Sequence, residues 1–234
     1  MARFLKKSNA LFQHIPRTGG TWIEQAIDLL EIDHLKWVDR QVGNIPNKHA
    51  LLGHYVRRER RKVDFSFTFV RHPISYYEAI WLWLKGLPPH KVNYLLETWS
   101  WHPKVEPACA FSQSDSFTGF CRRMLEDSPC WVTRLFEWYC GPEGGEIVNW
   151  IGRTETLQSD FQQVMRLLGY ENKLQQVDLN SLGKVNSHRC KQRPVWDLGL
   201  KNELERLEKR VIRRFYGSQN MSRRVYRPSH VFSN

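Results

Sequence analysis

The stretch Ala10-Leu11-Phe12-Gln13-His14-Ile15-Pro16-Arg17-Thr18-Gly19-Gly20-Thr21-Trp22-Ile23-Glu24-Gln25-Ala26-Ile27-Asp28-Leu29-Leu30 decides the fold. Ala10 to Ile15 is a short apolar run ended by a proline, the pattern of a buried strand. Arg17 to Thr21 is a turn containing two glycines. Beyond it, Trp22, Ile23, Ala26, Ile27 and Leu30 recur at helical spacing and predict a helix. The same order returns further on. Phe65-Ser66-Phe67-Thr68-Phe69-Val70 is β-rich and passes through Arg71-His72-Pro73 into a helical pattern from Ile74 to Leu84. Two strand-to-helix units before residue 90 predict an α/β fold with a mainly parallel central sheet.

The segment from about 86 to 146 reads differently. It carries Pro88-Pro89, Trp99, Trp101, Pro103, Pro107, Trp131, Trp138 and the turn Gly141-Pro142-Glu143-Gly144-Gly145. Short helices and long loops fit it better than sheet, so it is expected as a helical insertion. The tryptophans from Trp81 to Trp138 are expected chiefly in core and lid packing, with some left to line an acceptor pocket. Ile147 to Gly152 then predicts another strand. Thr156 to Leu168 is amphipathic, with Leu157, Phe161, Val164, Leu167 and Leu168 on one face. A last long helix is expected from about Leu198 to Tyr216, stopped by Gly217. No internal repeat interrupts this order, and residues 1–234 are expected to form one domain.

Composition narrows the function classes. With 234 residues, 41% hydrophobic and 25% charged, the chain has ordinary globular proportions, which excludes a disordered tail or a disulfide miniprotein. Lys and Arg number 35 against 24 Asp and Glu, a net charge of +11 that favours anionic partners. Nucleic acid, an acidic membrane surface and a phosphorylated small molecule all qualify, and composition does not choose among them. No helix-turn-helix, RRM, KH or zinc-finger pattern supports nucleic acid. No window is apolar enough for a transmembrane span, and no signal-peptide pattern opens the chain. Cys109, Cys121, Cys130, Cys140 and Cys190 are odd in number and lack CxxC spacing, so reduced thiols are expected, with no metal site. A cytoplasmic location follows as the expectation.

The turn after the first strand carries chemistry. Backbone N–H groups of such a turn and of the first helical turn point to one spot, and the helix dipole adds positive character there. Glycines let the backbone approach an anion, Arg17 adds a forked cation, and Thr18 and Thr21 add hydroxyls. The GxxxxGK[ST] spacing of an ordinary nucleotide loop is absent. Two readings remain for this turn alone: a tight βα connection or an anion cradle. Arg71 at a second strand end, with Pro73 and Ser75 opening the next helix, favours a ligand carrying two anionic groups.

These residues resemble a family. Ile15-Pro16-Arg17-Thr18-Gly19-Gly20-Thr21 is similar to the 5′-phosphosulfate loop of sulfotransferases that use 3′-phosphoadenosine 5′-phosphosulfate (PAPS). Phe69-Val70-Arg71-His72-Pro73 resembles their 3′-phosphate-binding strand and helix. Asn47-Lys48-His49-Ala50 resembles the lysine-histidine segment between the two. Ile151-Gly152-Arg153-Thr154-Glu155-Thr156-Leu157 with Asp160-Phe161 resembles the G-R-x-E-x-L-x-x-D-F signature. Lys184-Val185-Asn186-Ser187 and Arg193-Pro194 resemble the late V-N-S…R-P segment. The matches are collinear over about residues 11 to 217, nearest in pattern to soluble microbial and carbohydrate-type members.

The resemblance implies a P-loop-like three-layer fold and sulfuryl transfer from PAPS, with adenosine 3′,5′-bisphosphate (PAP) as product. The acceptor would be a hydroxyl or amine of a small molecule or carbohydrate. It implies that Arg17, Thr18, Gly19, Gly20, Thr21 and Trp22 hold the 5′ end of the donor and Arg71 with Ser75 the 3′-phosphate, with Arg153 and Lys184 also on the donor side. His49 is implied as general base and Lys48 as an electrostatic aid, with His54 and Glu24 as competing bases. Two positions depart from the pattern: Arg17 replaces the usual loop lysine, and Ala79 stands where a serine is usual. The alternatives are a catalytically degenerate nucleotide-binding member of the same fold, a P-loop kinase or NTPase, and a basic nucleic-acid-binding protein.

Overall fold

The computed structural model of the chain describes residues 2–37, 62–99, 105–183 and 193–217. The strands are β1 (Ala2–Leu5), β2 (Ala10–Phe12), β3 (His34–Trp37), β4 (Phe65–Val70) and β5 (Trp150–Arg153). The helices are α1 (Gly20–Leu29), α2 (Pro73–Lys85), α3 (Pro89–Trp99), α4 (Glu106–Ser112), α5 (Phe117–Asp127), α6 (Trp131–Cys140), α7 (Leu157–Leu167), α8 (Glu171–Gln175), α9 (Leu198–Leu207) and α10 (Lys209–Tyr216). Contacts group the described residues into two units. The first holds 2–37, 62–71 and 138–183, and the second holds 72–99, 105–137 and 193–217.

The first unit is a mixed α/β layer structure built on a five-stranded sheet in the order β3-β1-β2-β4-β5. β2, β4 and β5 are mutually parallel neighbours, while β1 is antiparallel to both β2 and β3. Four strands therefore run one way and β1 alone runs the other. The parallel centre agrees with the sequence pattern; β1 and β3 are additions to it. Both are short, and β1 turns Arg3 toward the same side as Phe12, its register partner. A charge facing the core breaks the apolar alternation by which strands are read.

Phenylalanine alternation in β4 builds the core. Phe67 and Phe69 join Leu5, Ala10, Phe12 and Trp150 on one face of the sheet. That face packs against Trp22, Ile23, Ala26 and Ile27 of α1 and Phe161, Val164 and Met165 of α7. Phe69 meets Trp150 edge-on at 5.4 Å, and Trp22 meets Phe161 edge-on at 5.5 Å. Full burial of Phe67 and of Phe69 contributes about 1.5–3 kcal/mol each. The intervening Ser66 and Thr68 are buried too and find partners: Ser66 donates to Asn149 Oδ1, and Thr68 Oγ1 donates to the Gln13 carbonyl at 2.7 Å. Buried polar groups persist only when paired in this way.

The second unit is helical: α3, α4 and α5 lie within the segment 86–146 read as helical, while α2, α9 and α10 come from either side of it. Tyr76 of α2 packs against Trp131 and Phe136 of α6, and Phe117 of α5 receives Trp81 and Trp196 edge-on. Trp81 and Trp131 are thus core residues, whereas Trp138 of the first unit is 43% exposed. The single last helix expected from Leu198 to Tyr216 is two helices, α9 and α10, divided at Glu208. The wholly buried Glu208 carboxylate accepts from the Tyr77 hydroxyl, the backbone N–H groups of Val132 and Thr133, and the Thr133 hydroxyl. It caps the start of α6 from a distance.

Candidate functional site

The chain leaves β2 under tight control. The Gln13 backbone N–H donates to the Phe67 carbonyl at 2.9 Å, and its side chain donates to the Tyr139 carbonyl at 2.8 Å. His14 stacks on Phe12 and sets Nδ1 3.0 Å from Glu24 Oε1. Ile15 is buried, and its carbonyl accepts the Thr18 hydroxyl at 3.0 Å. Arg17 then adopts a left-handed backbone at φ 62°, and Gly19 does so at φ 85°. Gly19 is the N-cap of α1 and has no side chain with which to cap it; the first turn holds no acidic residue.

A glycine-opened helix start of this kind has the form of an anion-binding turn. A left-handed residue followed by right-handed ones turns successive N–H groups inward to form an anion-binding nest, and the helix dipole reinforces it. Both glycines are required by geometry. A methyl group on Gly19 would fall 2.7 Å from Leu157 Cδ2, besides straining φ, and one on Gly20 would fall 2.0 Å from His14 Nε2.

The neighbouring strand ends add cations. Arg71 directly follows β4, is half-buried, and directs Nη1 to the Arg17 carbonyl at 3.4 Å. Arg153 ends β5 opposite Val70, with its backbone N–H held by Asp160 Oδ2 at 2.8 Å. The Thr154 hydroxyl donates to the Val70 carbonyl at 3.0 Å and locks the two strand ends together. Arg17, Arg71 and Arg153 thus share the carboxyl edge of the parallel strands, where ligands of α/β sheets bind.

The other candidates fall as follows. Thr21 and Trp22 lie in the first turn of α1, where Trp22 is buried against Phe161. Thr18 is 1% exposed, with its hydroxyl turned to the loop's own backbone, so it braces the turn. Ser75 lies in the first turn of α2, in the second unit, and Ala79 is a buried residue of the same helix. Glu24 is engaged by His14 and by Arg3, whose Nη2 is 3.4 Å from Oε2. Lys48, His49, His54, Lys184 and Cys190 lie outside the described residues. Cys109, Cys121, Cys130 and Cys140 are free thiols, and burial pushes that of Cys121 far above its ordinary range. Among the described residues no group of His, Cys, Asp and Glu is arranged to hold a metal ion, and no helix is long and apolar enough to cross a membrane.

Sequence reasoning missed His14 and Arg3. The only signal for His14 is a histidine at the junction of the strand and the loop; for Arg3 it is a cation inside an apolar N-terminal run. Burial lowers the affinity of Arg3 for its proton, an effect opposed by Asp28.

Comparison with known proteins adds one match. A family model described as the sulfotransferase family matches residues 2–227. No curated protein and no solved structure matches the chain.

Proposed function

The chain belongs to the sulfotransferase family, and on that premise we propose that it transfers a sulfuryl group from PAPS to a hydroxyl or amine of a small-molecule or carbohydrate acceptor. One observation carries the donor assignment: a left-handed Gly19, itself without a capping side chain, opens α1 beside Arg71, whose guanidinium reaches the same loop. Two cationic features at adjacent strand ends suit a ligand with a phosphosulfate at one end and a phosphate at the other. The match runs through both units, which supports treating 1–234 as one sulfotransferase domain. The free thiols support a cytoplasmic location.

In this reading the loop from Arg17 to Trp22 holds the 5′ end of the donor and Arg71 the 3′-phosphate, with Ser75, Arg153 and Lys184 assigned by motif. Sulfuryl transfer asks the protein to align an attacking oxygen with the sulfur and to neutralise the leaving group. The acceptor oxygen bonds to sulfur as the bond from sulfur to the 5′-phosphate oxygen breaks. His49 takes the acceptor's proton, Lys48 assists electrostatically, and PAP departs. Arg17, always charged, neutralises the leaving phosphate without giving it a proton. The double engagement of Glu24 by His14 and Arg3 favours His49 over Glu24 as base.

Thermal shift tests the donor assignment. PAP should raise the melting temperature without magnesium, by an amount that grows with its excess over Kd. Stabilisation by Mg-ATP alone would overturn the reading in favour of a kinase or NTPase. Transfer of labelled sulfate from PAPS to an acceptor panel, lost in His49→Ala, separates a working enzyme from a degenerate nucleotide-binding member.

A further inference from the structure

Beneath the anion loop runs a chain of hydrogen-bonded polar and charged side chains. His14 is 4% exposed, and its Nδ1 lies 3.0 Å from Glu24 Oε1. Glu24 Oε2 lies 3.4 Å from Arg3 Nη2, and Arg3 is 3% exposed. Arg3 reaches on to Asp28 at 3.4 Å and to His34 Nε2 at 2.9 Å, while His34 Nδ1 meets the Ile32 carbonyl at 2.7 Å. Glu24 of α1 meets the His14 imidazole directly, Arg3 of β1 holds Glu24, and His34 of β3 meets Arg3 in turn.

We propose that His14, held by Glu24 and Arg3, is a positioning residue that fixes the anion loop for the donor. A carboxylate only accepts, so His14 Nδ1 donates to Glu24 and the opposite edge of the ring is aimed by that bond. That edge carries Nε2, which lies against Gly20, close enough that a methyl group there would be 2.0 Å away. His14 precedes the loop and Glu24 follows it within α1, so their bond clasps the loop across its base. Gly20 opens α1, and its N–H belongs to the anion cradle. A ring that swings moves this residue, and a small misplacement of a binding group is amplified in the affinity it confers. The buried Arg3–Glu24 pair acts here on geometry, since desolvation offsets much of the attraction within a buried ion pair. Arg3 keeps the Glu24 carboxylate from rotating away from His14.

This inference rests on the donor assignment above, and its test separates the two. Binding of PAP is measured by titration calorimetry, with inorganic pyrophosphate as a second probe and the melting temperature as a control. His14→Phe keeps a ring against Gly20 and loses the bond to Glu24; His14→Asn keeps an N–H near the place of Nδ1. The loss of one charge-assisted hydrogen bond predicts a Kd for PAP raised about tenfold in His14→Phe and less than about threefold in His14→Asn. Glu24→Gln, whose one oxygen cannot serve both His14 and Arg3, should weaken binding in between. The double variant His14→Phe/Glu24→Gln should bind no worse than His14→Phe, the non-additivity of a shared contact. If His14→Phe does not fold, Glu24→Gln carries the test.

Unchanged affinity in both single variants, or losses that multiply in the double variant, would overturn the proposal. Wild-type protein that ignores PAP but binds pyrophosphate, with the loss in His14→Phe intact, would refute the donor assignment and keep the clasp. Wild-type protein that binds neither would overturn both.

Discussion

The guanidinium of Arg71 stands 3.4 Å from the carbonyl oxygen of Arg17, joining the end of β4 to the loop that follows its parallel neighbour β2. One side chain thus binds the loop's backbone while bringing a second cation to the same sheet edge. Arg71→Ala should raise the Kd for PAP about 10–100-fold, the loss of one charged, forked contact. Arg71→Lys should recover only part of it, since an ammonium carries charge without the fork. Titration calorimetry measures both, and an unchanged Kd in Arg71→Ala would remove this residue from the site.

Gly20 presents a sign reversal. Its φ is not left-handed, so the obstacle to a side chain is the His14 ring 2.0 Å from the added methyl group. Gly20→Ala should therefore destabilise the protein by about 1–3 kcal/mol through overpacking. In a His14→Ala background the ring is gone and only helix propensity is left, so the same change should stabilise by about 0.5–1 kcal/mol. Urea midpoints of the four proteins test this. Destabilisation of equal size in both backgrounds would mean that another contact enforces glycine.

The strands and helices with unbroken periodicity were legible in the sequence, as β4 over Phe65–Val70 and α7 over Leu157–Leu167 illustrate. Strand β1 was not, because Arg3 faces the core and is neutralised by Glu24 and Asp28, residues distant in sequence. The first strand was expected to reach Ile15 and ends at Phe12, where Gln13 turns its side chain to the Tyr139 carbonyl. The role of the Glu208 side chain was hidden for a similar reason, since only folding brings Tyr77 and Thr133 to that carboxylate. At the candidate site, glycine spacing and a strand-end arginine pointed to the loop and Arg71, which stand at neighbouring strand ends. The bond from His14 to Glu24 has no sequence pattern, as it pairs a residue just beyond β2 with a helix residue through a ring orientation. Lys48, His49 and Lys184, read from motif, lie outside the described residues.

Glu208 should be a structural keystone of the second unit. Removing it in Glu208→Ala leaves the Tyr77 hydroxyl, two amides of the first turn of α6 and the Thr133 hydroxyl without their acceptor. A loss of about 3–5 kcal/mol in chemical denaturation is expected, against about 0.5 kcal/mol or less for the exposed Glu203→Ala. Glu208→Gln should fall between, because its amide nitrogen faces donors. A cost near that of Glu203→Ala would show that water replaces the carboxylate.

Tyr77 gives this unit an alkaline limit. Burial, followed by the Glu208 carboxylate that its hydroxyl meets at 2.8 Å, holds the phenol well above its ordinary range. The unfolded chain releases this proton near pH 10, whereas the folded chain retains it, so above that pH the folded state binds more protons. The contribution is therefore complete below about pH 10 and is lost as pH rises from there toward the folded value. Urea midpoints measured from pH 9 to 11 should fall more steeply in the wild type than in Tyr77→Phe. Tyr77→Phe should begin lower by about 1 kcal/mol for the missing hydrogen bond. Phenolate absorbance from Tyr77, isolated as the difference between the two proteins, should appear only together with unfolding. Parallel slopes, or a phenolate signal from the folded protein, would mean that water reaches this hydroxyl.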